Sequence, residues 1–196
     1  MDEQDCIARS QQGHLESFNR LVEHYQGQVY HLAYRMLGDA TAAEDVAQEA
    51  FFSAYRALAS FRGQNFRAWL FRITVNACHD WQRKRQRHPE RSLDALTDNR
   101  EDDELKIPAD VESPEDMALL GELSHLLQAG LDHLPADQRS VVVLSDIQGL
   151  SYEEIATVTG ASLGTVKSRL SRGRARLRDF LLAHRELLPR EYRLSR

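Results

Sequence analysis

Apolar residues recur at helical spacing along the first part of the chain, which predicts amphipathic helices rather than strands. Residues 16–37 carry one continuous apolar stripe, and Gly38 can end this helix in a left-handed conformation. Thr41 and Glu44 have the spacing of a capping box, with the threonine as N-cap. This box predicts a second helix over about residues 42–59.

A third helix is predicted within residues 61–87, where Leu70, Ile73, Ala77 and Trp81 form an apolar stripe. Several basic residues crowd its last turn, where cations suit the negative end of the helix dipole. The sequence therefore predicts an all-α N-terminal half.

The C-terminal half follows a second helical pattern. Ser151 and Glu154 have capping-box spacing, Gly160 is suited to a tight turn, and Ser162 can cap the next helix. Two helices that meet across a glycine turn are typical of a helix-turn-helix. In the last helix, the side chains expected to face the core are Leu163, Val166, Leu170 and Leu177.

Residues 89–114 separate the two halves; they are acidic, contain three prolines and show little periodicity. Such a segment is typical of a linker, and so long a loop is uncommon inside a compact domain. We predict two small helical domains, residues 1–88 and 115–184, joined by a flexible acidic linker. The tail, residues 185–196, receives no role.

Positive charge is confined to two short stretches of a chain whose net charge is −5. Residues 64–87 carry six bases and one acid, and residues 163–178 carry six bases and no acid. This segregation argues against a non-specific nucleic-acid coat and favours two local contacts with phosphate.

Other functional classes find little support in the sequence. No apolar run is long enough to span a membrane, and the acidic N-terminus does not resemble a secretion signal. Cys6 and Cys78 lack metal-ligand spacing, which favours a reduced, cytoplasmic protein without a metal. Since no nucleophile–base spacing or phosphate-binding glycine loop is present, we expect neither an enzyme nor a cofactor.

The first basic stretch begins with an aromatic loop. Aromatic faces beside guanidinium groups can stack on unstacked bases, at about 1–3 kcal/mol per base. The alternative is equally consistent with this stretch alone: Phe66, Trp69 and Trp81 belong to the core and the basic run is a solvated helix end. The candidate nucleic-acid residues here are Phe61, Arg62, Asn65, Phe66, Arg72, Asn76, Arg83 and Lys84.

The second basic stretch occupies the last helix of the helix-turn-helix. Such a helix offers its N-terminal side chains to base edges in the major groove and its cations to phosphates. A basic helix that only coats the surface is the less favoured alternative. The side chains predicted to point outward are Thr165, Lys167, Ser168, Arg169, Arg172 and Arg176.

The second helix carries a candidate protein-docking face. Phe52 is placed on its outward side, and a large exposed aromatic residue often marks a partner surface. Asp45, Gln48 and Glu49 would form the polar rim, although such residues also suit an ordinary solvated helix.

Taken together, these motifs resemble those of a known family. With AEDVAQEAFFSAYRAL and FRGQNFRAWLFRITVNACHDWQRKR in one half and SYEEIA…TGASLGTVKSRLSRGRARL in the other, the chain resembles an extracytoplasmic-function (ECF, group IV) bacterial sigma factor of the sigma-70 family. The resemblance runs from about Cys6 to Leu182. It implies two domains, called regions 2 and 4, a role in promoter recognition, and core RNA polymerase as partner.

The resemblance also assigns roles to individual residues. The docking face would contact the clamp helices of polymerase, and the linker would thread towards its active site. Asn76 and the loop before its helix would capture a flipped base of the single-stranded minus-ten element. The loop is one residue shorter than the family pattern, which leaves open whether Gln64, Asn65 or Phe66 lines the base pocket. The duplex minus-thirty-five element would be read by Lys167, Ser168, Ser171 and Arg172.

Family members are usually held inactive by an anti-sigma factor, so the resemblance implies such a partner here. The competing class is a stand-alone helix-turn-helix regulator with an N-terminal sensor domain. That class accounts for residues 151–178 but not for the aromatic-basic loop or the docking face. A third interpretation, an interaction protein that needs no polymerase, leaves both basic stretches without a role.

Overall fold

The computed structural model describes residues 2–63, 65–87 and 114–187, without the side chains of 114–118 and 187. Throughout these residues the regular structure is helical, as predicted, and no strand is present. The predicted linker falls almost entirely outside the described residues, as do Gln64 and most of the tail. The boundaries of the predicted domains therefore stay predictions.

Four helices form an N-terminal unit. They are α1 (Glu3–Gln11), α2 (Leu15–Leu37), α3 (Ala40–Ala57) and α4 (Phe66–Arg87), with a 3₁₀ turn at Leu58–Ser60. Helix α1 was not predicted from the sequence. Helices α2, α3 and α4 pack against one another, and the small inward side chains of α3 allow close approach. The fully buried side chains at their centre include Val29, Leu32, Met36, Ala43, Ala50, Ala54, Leu70 and Phe71.

The ends of these helices have identifiable caps. Gly38 has φ +70°, and its N–H donates to Tyr34 O at 2.8 Å, which confirms the predicted left-handed end of α2. The predicted N-cap of α3 is wrong. Asp39, not Thr41, caps it by accepting a hydrogen bond from the Ala42 N–H at 2.8 Å. Both residues suit an N-cap, and here the chain enters the helix two residues earlier.

The C-terminal unit contains the predicted helix-turn-helix. It consists of α5 (Pro114–Asp132), α6 (Ala136–Val142), a π-helical turn (Val143–Ile147), α7 (Tyr152–Thr159) and α8 (Leu163–Ala183), followed by a 3₁₀ turn at Arg185–Leu187. The Ser151–Glu154 capping box and the left-handed Gly160 are confirmed. The inward side of α8 is Val166, Leu170 and half-buried Leu177, whereas Leu163 is 41% exposed, contrary to prediction.

The two units lie against each other, which the sequence analysis did not anticipate. Helix α4 packs on α7, and the C-terminal half of α2 packs on α5, α6 and the π-helical turn. A single cluster of buried apolar side chains runs through both units. The two basic helices, α4 and α8, are thereby fixed in one arrangement.

Candidate nucleic-acid and protein-docking surfaces

The basic face of α4 is open to solvent along much of its length. Arg72, Asn76, Arg83 and Lys84 are all exposed, and they lie on the side away from the buried stripe. Arg83 also pairs with Asp80 one turn earlier. These side chains can offer an amide and several cations to a single nucleic-acid strand that runs along the helix.

The aromatic rings before α4 occupy a different place from the one predicted. Phe66 is 1% and Phe61 is 7% exposed, and their ring centroids lie 5.8 Å apart. Phe66 also contacts Tyr25 and half-buried Trp69, at 5.6 and 5.4 Å. The prediction that Phe61 and Phe66 stack on bases is therefore wrong for this conformation, because both rings are packed in the apolar core.

Asn65 and Arg62 hold the loop itself. Asn65 caps α4, since its Oδ1 accepts from the Ala68 N–H at 2.9 Å. Its Nδ2 donates to Glu154 Oε1 of α7 at 2.6 Å. The exposed Arg62 donates through Nη1 to Ala59 O at 2.6 Å and to Phe61 O. Arg62 and Asn65 therefore already have hydrogen-bond partners within the protein.

The outward face of α8 is exposed at most of the predicted positions, whereas Thr165 is half-buried. Ser162 caps the helix by accepting from the Thr165 N–H at 3.2 Å, which fixes the end that would meet base edges. The exposed residues that follow are Lys167, Ser168, Ser171, Arg172 and Arg176. Arg172 donates through Nε to Ser168 O at 3.1 Å, so its guanidinium lies along the helix surface.

Arg169 does not share this exposure. Its side chain is 29% exposed and its Nε lies 2.9 Å from Asp137 Oδ2 of α6. The predicted minus-thirty-five surface therefore contains one arginine that is already paired within the protein. Spacing alone could not reveal this pair, because Asp137 is 32 residues away in sequence.

A groove beside α8 is lined by three further residues that were not predicted from the sequence. They are Tyr152, Arg174 and Arg178, and they lie beside the predicted Lys167. Arg174 is held by two hydrogen bonds to Asp146, at 2.5 and 2.9 Å, and these lower the pKa of the Asp146 carboxyl. Position within the second basic stretch was the only sequence signal for these arginines.

The face of α3 that was predicted to dock a partner is exposed. Phe52 is 64% exposed, and Asp45, Gln48 and Glu49 beside it are exposed too. Glu49 accepts from Arg56 at 3.1 Å, a surface pair of small energetic value. The result is an exposed aromatic side chain within a polar, mainly acidic rim.

Within the described ranges no cluster of acidic, cysteine and histidine side chains could hold a metal ion. None of the described helices is long and apolar enough to cross a membrane. Cys6 and Cys78 are buried, and burial raises the pKa of the Cys78 thiol to about 12.

Models of known protein families match both units of the chain. The family model for sigma-70 region 2 matches residues 21–88, and that for sigma-70 region 4 matches residues 124–177. The RNA polymerase sigma-H factor of Pseudomonas aeruginosa is 41% identical over 177 residues, covering 88% of this chain and 90% of that protein. The chain belongs to the ECF sigma factors.

Other relatives of this sigma factor agree. The ECF sigma factor SigE of Mycolicibacterium smegmatis is 41% identical over 90% of this chain, and this chain spans 66% of that protein's length. SigW of Bacillus subtilis is 39% identical, with 89% of this chain and 94% of that protein covered.

Solved structures of similar sigma factors share the fold. RpoE of Bartonella quintana, solved with the anti-sigma factor NepR, has a TM-score of 0.65 and 29% identity, covering 85% of this chain and 97% of that one. CnrH, solved with the cytosolic domain of CnrY, has a TM-score of 0.67 and 29% identity, covering 93% and 99%. The chain is an alternative sigma factor for transcription initiation, and a stand-alone regulator is not favoured, since region 2 is matched as well as region 4.

Proposed function

We propose that three exposed faces of this sigma factor divide the work of promoter recognition. The α3 face docks on the clamp of core RNA polymerase, the α4 face takes the opened minus-ten strand, and the α8 face reads the minus-thirty-five duplex. The proposal rests mainly on one observation: the two basic faces, on α4 and α8, are exposed on a chain of net charge −5.

Docking on polymerase would use Phe52 as its apolar anchor. A side chain that is 64% exposed can bury a large aromatic area in a complementary pocket. Asp45, Gln48 and Glu49 around it would pair with basic and polar groups of the clamp and fix the orientation.

Opening of the minus-ten element would be driven by a higher affinity of the protein for the opened strand than for duplex DNA. Extruding a base from duplex DNA costs a few kcal/mol. Asn76 can offset this cost through hydrogen bonds to a base edge, and Arg72, Arg83 and Lys84 through contacts with the strand's phosphates. Since the hydrogen bonds to the base edge form only with the opened strand, binding stabilises that state and no chemistry is required of this chain.

Recognition of the minus-thirty-five element would use α8 in the major groove. Lys167 and Arg172 are exposed cations near the N-terminal half of the helix, where base edges come within reach. A bidentate contact to guanine discriminates against other bases by about 1–3 kcal/mol. Ser168, Ser171 and Arg176 would add contacts to bases or phosphates.

We also propose that an anti-sigma factor restrains this chain in the cytoplasm. The support is that two similar sigma factors were solved in complex with anti-sigma factors. Such a partner would be expected to cover polymerase-docking or DNA-binding faces.

The test is run-off transcription with purified core polymerase, with and without this protein, followed by mapping of the start sites. We expect initiation that depends on the protein, from promoters that share upstream motifs. Tight binding to duplex DNA with no redirection of core polymerase would overturn the proposal and favour the regulator class.

A further inference from the structure

Helix α1 contacts the chain that leads into α4. Its last residue, Gln11, donates through Nε2 to Leu58 O at 3.1 Å and to Phe61 O at 2.8 Å. These carbonyls lie 47 and 50 residues away in sequence, at the beginning of the 3₁₀ turn after α3 and at the residue that follows the turn. One side-chain amide therefore holds the start of the loop before α4.

Helix α1 is itself anchored to the N-terminal core. It packs on α2, and its Cys6 and Ile7 side chains are buried. At its other end, Glu3 accepts a hydrogen bond from the Tyr25 hydroxyl of α2. Gln11 therefore ties the loop to a part of the molecule that is fixed by apolar packing.

The Phe61 carbonyl receives a second hydrogen bond. Arg62 donates through Nη1 to Phe61 O at 3.0 Å and to Ala59 O at 2.6 Å. A carbonyl oxygen has two lone pairs, so Phe61 O can accept from Gln11 and from Arg62 together. The amide of α1 and the guanidinium of the loop thus share one acceptor.

Arg62 is placed to exchange these acceptors for a phosphate. Its side chain is exposed, and its hydrogen bonds go to neutral carbonyls, whereas Arg83 on α4 pairs with a carboxylate. A bond from guanidinium to phosphate is charge-assisted and stronger than one to a carbonyl. Since the loop of Arg62 ends at Asn65, the N-cap of α4, a strand that runs along α4 reaches Arg62 at the start of this helix.

The exchange has a different cost at each of the two carbonyls. The bond to Ala59 O lies on the exposed surface, where water can replace the guanidinium. The bond to Phe61 O is partly buried, and a carbonyl left there without a donor is unfavourable. Because Gln11 continues to donate to Phe61 O, Arg62 can leave this carbonyl without that penalty.

We propose that Gln11 is a positioning residue for minus-ten recognition: it holds the Phe61 carbonyl, so that Arg62 can move from this carbonyl to a phosphate of the opened strand. The inference rests on the proposed role of the α4 face, beside which Arg62 adds a phosphate contact. Gln11 does not touch DNA and acts through Arg62.

The test is a double-mutant cycle in the complete complex of core polymerase and this sigma factor. Gln11→Met removes the donor but keeps the side-chain length and a similar helix propensity. Arg62→Ala and the combination of both changes complete the cycle. The matched control is Gln12→Met, at the exposed neighbour that ends the same helix. The probe is a labelled single strand of about 12 nucleotides from the mapped minus-ten element, titrated at several salt concentrations.

For Gln11→Met we expect about three- to tenfold weaker strand binding, since one partly buried carbonyl loses its second donor. The salt slope should fall by about 0.7, the share of one phosphate on a single strand. Arg62→Ala should show the same two changes, and the double variant should bind no more weakly than Arg62→Ala alone. Gln12→Met should bind like the parent.

A role of Gln11 in stability alone gives a different result. The salt slope would then stay at the parent's value, and the effects of Gln11→Met and Arg62→Ala would multiply in the double variant. Either result would overturn the proposal. Circular dichroism checks that each variant is folded. Gln11→Glu is a second variant, because its carboxylate cannot donate to either carbonyl, and it should weaken strand binding at least as much.

Asn76→Ala, measured in parallel, separates this inference from the proposed function. If only Gln11→Met binds the strand like the parent, the positioning role is wrong and the α4 face keeps its proposed role. If only Asn76→Ala binds like the parent, the α4 face loses its proposed role and the coupling of Gln11 to Arg62 stands. If both bind like the parent, both proposals are wrong.

Discussion

At the scale of single residues, Asn76 is the side chain on which the minus-ten assignment depends most directly. It is exposed on α4 and is the residue proposed to bond an extruded base. For Asn76→Ala we expect at least about tenfold less open complex, because the opened state is deprived of hydrogen bonds that duplex DNA never makes. Permanganate footprinting of promoter complexes measures the decrease.

Asn19→Ala is the matched control, because Asn19 is also an exposed helical asparagine but lies on α2. Binding of the minus-thirty-five duplex should be unchanged in both variants. An unchanged footprint for Asn76→Ala would remove this residue from the mechanism.

Helix α8, which we propose reads the minus-thirty-five element, offers a comparison between two arginines three residues apart. Arg172 is exposed, whereas Arg169 is paired with Asp137. Combining Lys167→Ala with Arg172→Ala should weaken binding of the specific duplex by about 1–3 kcal/mol for each hydrogen-bonded base that is no longer read. Arg169→Ala should weaken it less, because that guanidinium is already engaged by a carboxylate.

Fluorescence anisotropy with the duplex at several salt concentrations distinguishes these cases. If Arg172 binds a base, its replacement relaxes the sequence preference; if it binds a phosphate, its replacement lowers the salt slope by about one. Equal weakening for Arg169→Ala and Arg172→Ala would show that the Asp137 pair opens on DNA.

At the scale of helices, Gly173 shows how closely α8 packs on α6. A Cβ at this position would lie 2.7 Å from Val142 Cγ2 and 3.4 Å from Gln138 O. The valine is β-branched and fully buried, so it has little room to move. Gly173→Ala should therefore lower the free energy of unfolding by about 1–3 kcal/mol, as overpacking does.

Gly121→Ala provides the control, because a Cβ there would meet nothing within 4 Å in the interior of α5. Replacing glycine by alanine in an open helical position is expected to stabilise by about 0.4–1 kcal/mol. Urea unfolding of both variants gives the comparison, and a stable Gly173→Ala would mean that α8 can shift away from α6.

The helices show how far local sequence patterns can predict this structure. Periodicity and caps predicted the bounds of α2 to within one residue. Ser151, Gly160 and Ser162 mark the helix-turn-helix correctly. The aromatic loop shows the limit. A pattern of rings and cations does not say whether Phe66 packs in the core or faces a base, since apolar burial and base stacking select the same residue types.

Contacts between distant segments could not be predicted from these patterns. The pairing of Arg169 with Asp137 and the donation from Asn65 to Glu154 depend on how separate helices are placed. No local spacing encodes such placement. The sequence therefore predicted the caps of the helix-turn-helix well and the surroundings of the loop before α4 poorly.

At the scale of the whole molecule, His79 lies at the contact between the two units, and its lowered pKa predicts a pH dependence of stability. It lies between α4 and α6, and burial is the main cause that lowers its pKa from the ordinary 6.5, with Arg83 and Arg169 acting in the same direction. Gln82 and Asp80 act in the opposite direction.

A lowered pKa means that the unfolded chain binds the proton first as the pH falls through about 6.5. The contribution of the neutral imidazole to the free energy of unfolding is therefore fully present above that pH, and it is lost as the pH falls further. The fall in melting temperature between about pH 7.5 and about pH 5.5 should be smaller in His79→Gln than in the parent. His125→Gln, at an exposed position of α5, should keep the parent's fall.

The contact of Arg139 with α2 has a consequence for the role of water. Its Nε is buried without a hydrogen-bond partner, although the rest of its guanidinium is bonded. Separation of the two units would let water reach this donor and supply the missing bond, which would offset part of the cost of giving up the hydrogen bond from Nη1 to Met36 O. Osmolytes that are excluded from protein surfaces, such as sucrose, oppose such hydration. Water activity therefore enters the free energy of the contact between the two units.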